Sequence, residues 1–137
     1  MIAIHKQNSN IRIKDKRVII AILRQIISDH SKVEANINII LTNDEKLLNL
    51  NRDYLKHNYL TDILTFSYNE DESIEADLFI SEERAKDNAS KFNVTFENEL
   101  KRLMIHGILH CCGQKDKTVA EKKEMRRKEE FYLNKQT

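Results

Sequence analysis

The chain has no proline and no tryptophan, and only two glycines and two cysteines in 137 residues. Without Pro and nearly without Gly, its turns must be made by Asn, Asp and Ser, whose short polar side chains support tight backbone geometry. Cys111 and Cys112 are adjacent and no third cysteine exists. Neighbouring cysteines do not readily bridge each other, so a disulfide framework is excluded and a reducing cytoplasm is the expected compartment. No apolar run approaches the ~18 residues that span a bilayer. The first fifteen residues lack the apolar segment of a secretory signal, so no membrane or export role is expected. Charge of one sign is also missing: Lys+Arg 23 against Asp+Glu 22 leaves +1. Affinity for a polyanion or a membrane would therefore have to come from a local patch.

What is present suits one small globular domain over 1–137, with 40% hydrophobic and 33% charged residues. Aromatics are only 7%, so the core should be mainly aliphatic. Residues 2–6 read as a short strand. Asp15 is expected to cap a helix over 16–29, with Ile19, Ile22, Leu23, Ile26 and Ile27 on one face. Residues 34–42 alternate Ala35, Ile37, Ile39 and Leu41 with Glu34, Asn36 and Asn38, the period of a half-buried strand. Asn43 should cap a helix over 44–54, with Leu47, Leu48 and Leu50 apolar. Residues 62–68 and 75–80 read as an antiparallel hairpin. Ser81 caps the next helix, and Thr95 caps a longer one over 96–112, with Phe96, Leu100, Leu103, Met104 and Ile108 at helical spacing. Thr118 caps a charged helix over 119–133 whose core contacts should be Met125, Tyr132 and Leu133. The order βαβαββααα predicts an α+β fold with a mixed sheet.

The two glycines, Gly107 and Gly113, fall within one segment, HGILHCCGQKD. His106 and His110 are four apart on the predicted helix and share a face, as two ligands of one metal must. Gly113 suits the residue just past a helix end. Asp116 follows where the chain can swing back over the histidines. Two imidazoles and a carboxylate suit Zn²⁺ and leave a fourth position for water, the arrangement of a catalytic site. In the zinc-peptidase helix H-E-x-x-H a glutamate after the first histidine is the general base. Gly107 stands there, which disfavours proteolysis. Cys111 and Cys112 point away from the pair and are expected to be small apolar fillers.

HGILHCCG followed by Asp116 resembles the signature of the YbeY family, H-G-x-L-H-L-x-G-x-D-H. Further upstream, LNLNRDYL (48–55), TDILTF (61–66) and EADLFIS (75–81) resemble other blocks of that family at similar spacing. The resemblance implies a zincin-like single domain, a mixed four-stranded sheet with about five helices, and one zinc per chain held by His106, His110 and Asp116. It also implies a single-strand-specific endoribonuclease using zinc-activated water. The implied role is small-subunit ribosomal RNA 3′-end maturation and ribosome quality control. Precursor ribosomal RNA and small-subunit components would be the partners, and a monomer is expected.

The sequence departs from the family at several points. The third ligand there is most often His, where Asp116 stands here. An arginine commonly follows the tyrosine that corresponds to Tyr54, and here that place is Leu55. Lys56 and His57 are the next cationic candidates for phosphate contact, and Lys115 and Lys117, beside Asp116, are the candidates for RNA binding. Leu60 replaces a proline, Ala76 a glycine and Gln114 an aromatic. Asp62 and Asp77 are candidates to orient a ligand histidine through its second nitrogen. Glu121, Glu124, Glu129 and Glu130 alternate with Lys and Arg and read as a solvated helix face. Two other functions compete: a ribosome-assembly factor with a structural zinc and no catalysis, and a zinc peptidase. No protein general base can be assigned.

Overall fold

The computed structural model describes residues 1–69 and 71–135. The elements run β1 (Ile2–Lys6), α1 (Lys16–Asp29), β2 (Val33–Thr42), α2 (Asp44–Leu55), β3 (Ile63–Ser67), β4 (Ser73–Ser81), α3 (Glu82–Phe92), α4 (Phe96–Cys111) and α5 (Val119–Leu133). This is the predicted order. The four strands form one sheet in the order β1-β2-β4-β3. β1 and β4 run parallel to β2, while β3 runs antiparallel to β4 and forms an edge.

Strand alternation divides the sheet's two faces. Ile37, Ile39 and Leu41 of β2 and Ala76, Leu78 and Ile80 of β4 point to one side and are buried with the apolar stripes of α1 and α4. α4 is the central helix of that layer, packed by α1, α3 and α5 and lying against β3 and β4. Its apolar stripe continues through Leu100, Leu103, Met104, Ile108 and Leu109. α2 packs on β3 and β4. On its side Tyr54 meets Phe66 and Phe66 meets Phe79 edge to face, and both phenylalanines alternate with the core-facing residues of their strands.

Most predicted caps are present. Asn43, Ser81, Thr95 and Thr118 each accept the backbone N–H three residues on, each worth about 1 kcal/mol. Thr118 and Glu121 complete a reciprocal capping box. Asp15 is the exception. It precedes α1 with φ 55° and makes no side-chain cap, because a left-handed residue cannot aim its carboxylate at the first turn as an extended one does. α2 also differs: of the three leucines expected to be its apolar residues only Leu47 is buried, and Asn51, one turn on, is buried with it. The helix rests on a narrow stripe, so Leu48 and Leu50 stay half-exposed.

Two contacts set the position of the metal-motif helix. A β-carbon on Gly107 would lie 2.4 Å from Leu78 Cδ2 and 3.0 Å from Ile63 Cδ1. Only glycine lets α4 lie this close to β3 and β4. Gly113, at φ 101°, is the left-handed residue that ends α4, its N–H donating to the His110 carbonyl at 3.0 Å.

Candidate metal centre

His106 and His110 project from the last turns of α4, their ring centroids 5.7 Å apart. The turn at Gly113 carries Asp116 back over them. Asp116 Oδ2 lies 3.4 Å from His106 Nε2, and Oδ1 lies 3.2 Å from His110 Nε2. One ligand atom from each residue falls within 4.8 Å of the others, so the three side chains can hold a single metal ion. His110 is exposed, while His106 and Asp116 are half-buried. The cluster opens into a cleft whose other wall is β3. Thr61, Asp62, Ile63, Leu64, Thr65 and Ser67 line it from that side, and Arg102, Leu103 and Cys111 from α4.

A carboxylate stands behind His106. Glu129 Oε2, on α5, accepts a hydrogen bond from His106 Nδ1 at 2.8 Å. The proton therefore sits on Nδ1, and the Nε2 lone pair faces Asp116 and the cleft. Glu129 is only 5% exposed. Arg102 Nη1 donates to its other oxygen at 3.1 Å. The same guanidinium grips Glu99 through Nε at 2.7 Å and Nη2 at 2.8 Å. Glu99 is 1% exposed and takes a further bond from Asn88, which also binds Asp62. Burial disfavours charge on Arg102, but the two carboxylates outweigh it and its pKa is raised.

These contacts revise several expectations. Asp62 accepts from Asn88. Asp77 accepts from Asn38 and Tyr68. Neither bonds His106 or His110; Glu129 is the carboxylate that bonds His106. Glu129 is therefore no part of a solvated face. The clue was its position four residues after Met125 and three before Tyr132, the two other buried residues of α5. Lys56 caps α2 in the left-handed region, and its ammonium donates to the Asp53 carbonyl. His57 stacks on Tyr59 with centroids 5.2 Å apart. Neither lines the cleft, and nor do Lys115 and Lys117, which flank Asp116 and are exposed. Among the described residues, the Lys or Arg that does line it is Arg102. Cys111 and Cys112 are free thiols packed against the core. Burial pushes Cys111 up to about 12 and Cys112 up to about 11, as expected of apolar fillers.

Buried Asn51 anchors the loop into the cleft's β3 wall. Its side-chain amide donates to the Tyr59 carbonyl at 3.1 Å, and its backbone carbonyl accepts from His57 N–H at 3.1 Å.

The sequence matches the family described as "Endoribonuclease YbeY" over residues 2–137. The chain belongs to the YbeY family. A protein named endoribonuclease YbeY in Flavobacterium johnsoniae is 49% identical over 108 residues, 79% of this chain and 78% of that one. Another of that name in Bacteroides fragilis is 42% identical over 125 residues, 90% of each chain. The solution structure of TM1509 from Thermotoga maritima superposes with a TM-score of 0.66 at 28% identity, covering 97% of this chain and 87% of the other. The α+β fold expected from the sequence is thus that of a known structure. Among the described residues, no helix is long and apolar enough to cross a membrane.

Proposed function

We propose that this chain is a single-domain, metal-dependent endoribonuclease that cuts single-stranded RNA in the cytoplasm. Its place is in small-subunit ribosomal RNA 3′-end maturation and ribosome quality control, with precursor ribosomal RNA and small-subunit components as partners. His106, His110 and Asp116 hold one zinc ion. The observation that carries the reading is the convergence of these three side chains at the mouth of an open cleft, with Glu129 fixing His106 from behind. Tetrahedral zinc with bonds of about 2.0–2.1 Å needs ligand atoms roughly 3.3 Å apart. One ligand atom from each of the three lies within 4.8 Å of the others, and each histidine Nε2 lies within 3.4 Å of an Asp116 oxygen, so small side-chain rotations close the set on one ion.

When bound, zinc lowers the pKa of a coordinated water and polarises a phosphoryl oxygen. The chain's own residues supply the rest. Glu129 holds the His106 tautomer, and Arg102 holds Glu129. Among the described residues, Arg102 is also the one Lys or Arg side chain that lines the cleft. Gly107 speaks against the peptidase alternative. A β-carbon there would strike Leu78, so position 107 faces the sheet and offers no general base.

Leu55, 42% exposed, stands where family members commonly carry an arginine, and this favours the non-catalytic assembly factor as second reading. One comparison separates the three: purified protein with precursor ribosomal RNA and with casein, each with and without a chelator. RNA cleavage abolished by the chelator supports the endoribonuclease. Loss of folding on chelation with neither polymer cut supports the assembly factor, and chelator-sensitive cutting of casein supports the peptidase.

A further inference from the structure

β3 is an edge strand, and its hydrogen-bonding parity can be worked out. Tyr68 N–H donates to the Glu75 carbonyl and Ser81 N–H to the Asp62 carbonyl. In an antiparallel pair, bonded positions recur every second residue. Leu64 and Phe66, opposite Phe79 and Asp77, therefore turn their backbone groups towards β4. Ile63, Thr65 and Ser67 turn theirs outward, to the free edge. The same three residues line the cleft that holds His106, His110 and Asp116. Their side chains lie on the α4 side of the sheet, because they pair with core-facing Ile80, Leu78 and Ala76. The close approach at Gly107 brings the edge alongside the metal cluster. Among the described residues, the one bond to these outward groups is a long one, 3.4 Å from Thr61 Oγ1 to the Ile63 carbonyl. A carbonyl has a second lone pair to offer.

We propose that this edge is a hydrogen-bonding rail for the sugar–phosphate backbone of a single-stranded RNA, and that its carbonyls favour ribose over deoxyribose. The inference rests on the endoribonuclease reading and adds how the strand is held. Outward groups repeat every two residues, roughly 6.8 Å, a step similar to that between successive nucleotides of an extended strand. Each step offers one N–H and one C=O. Phosphate and sugar oxygens can accept from the N–H, but only a 2′-hydroxyl on the sugar can donate to the C=O, and this group distinguishes RNA from DNA. A duplex cannot follow the rail, since its backbone is wound away from any straight edge. A polypeptide could add to a bare edge as a strand. The walls suit one poorly: beside apolar Ile63 and Leu103, the hydroxyls of Thr61, Thr65 and Ser67 and the guanidinium of Arg102 stand where alternate side chains would need apolar pockets.

The test is amide hydrogen exchange on the metal-loaded protein with a single-stranded RNA, the DNA of the same sequence and an unstructured peptide. Labelling is kept short enough that the RNA remains uncut. Thr65 and Ser67 amides should exchange freely in the protein alone and slow at least ~10-fold with RNA, more than with DNA. Leu64 and Phe66, already in the ladder, should not change. Thr65→Pro removes one outward N–H and none from the ladder, a substitution an edge strand accepts. It should weaken RNA binding at least ~5-fold, a typical single hydrogen bond, with metal content unchanged. If that variant does not fold, exchange in the unaltered chain still decides. RNA bound and cleaved with Thr65 and Ser67 exchanging as in the free protein overturns the rail and leaves the endoribonuclease reading standing. Equal protection by DNA, or protection by peptide and not RNA, also overturns it. Absence of both RNA binding and chelator-sensitive cleavage overturns rail and reading together.

Discussion

Glu129 and His106 are 23 residues apart on different helices and share a hydrogen bond of 2.8 Å, carboxylate to Nδ1. A carboxylate on one ring nitrogen raises the basicity of the other and locks the ring's rotation. Glu129 can do this while nearly buried because Arg102 neutralises it. Without that guanidinium, an ionised carboxylate at this depth would cost several kcal/mol. Glu99, Arg102, Glu129 and His106 therefore act as one unit, built from α4 and α5.

The first prediction is that Glu129→Ala weakens metal binding 10–100-fold, the usual cost of losing such a partner. Competition with a chromogenic chelator measures it. Glu129→Gln keeps an acceptor for Nδ1 and should lose less. Nitrogen chemical shifts of His106 should report a mixed tautomer in the Ala variant and a single one in the unaltered chain. Unchanged affinity in Glu129→Ala would show that the hydrogen bond is structural only.

Asp116 is tested by replacement in two directions. Asp116→Ala should lower zinc affinity at least ~10-fold, since it removes a ligand and even a group behind a ligand counts for that much. Asp116→His should retain zinc. Equal affinity in the Ala variant and the unaltered protein would place the third ligand elsewhere.

The glycines should fail for different reasons. Gly107→Ala forces a β-carbon into Leu78 and Ile63 and should cost about 1–3 kcal/mol by overpacking. Gly113 has open space around it, so Gly113→Ala meets only the strain of φ 101°, about 1 kcal/mol. Denaturant unfolding of both variants should rank Gly107→Ala as the less stable. The reverse order would show that α4 can move off the sheet.

Tyr132 donates to Asp29 Oδ2 at 2.7 Å, tying α5 to the end of α1. This bond, with a second from Gln25, holds the Asp29 carboxyl below its usual range. A carboxylate with a lowered folded pKa stabilises the fold above its unfolded pKa, near 3.8, and loses that contribution as pH falls through the folded value. Tyr132→Phe should therefore cost about 1 kcal/mol at neutral pH and flatten the stability curve below pH ~4. An acid limb as steep as that of the unaltered protein would rule the pair out as its source.

The fold was legible wherever periodicity was strong. Ile19 to Ile27 and Leu100 to Ile108 announce helices, and Ala35 to Leu41 a strand, because buried residues recur at the period of each element, although β2 buries Ile40 and Thr42 on its other face too. His106, His110 and Asp116 were legible because helix pitch and a glycine turn fix their relation locally. Glu99, Arg102 and Glu129 were not. Each lies among charged neighbours; the place of Glu129 between Met125 and Tyr132 hints at burial, but its pairing with Arg102 across 27 residues leaves no trace in local spacing. The free edge of β3 was also out of reach, since strand order depends on how the whole sheet assembles.

The last prediction concerns the charges beside the metal. A total of +1 supplies no general attraction for a polyanion, so RNA binding should depend on a few local cations. Lys115 and Lys117 flank Asp116 and are exposed. Replacing both with Ala should reduce the slope of log affinity against log salt by roughly 1.4, two single-strand phosphate contacts at about 0.7 each. Metal content and fold should not change. Leu55→Arg is the complementary test. A guanidinium can clamp a phosphate through two hydrogen bonds, but residue 55 ends α2 and does not line the cleft. If a phosphate reaches it from the cleft, turnover should rise with zinc affinity unchanged. If the double lysine variant keeps its full salt slope, Lys115 and Lys117 make no phosphate contact, and the RNA must reach the cluster from the Arg102 and β3 side of the cleft.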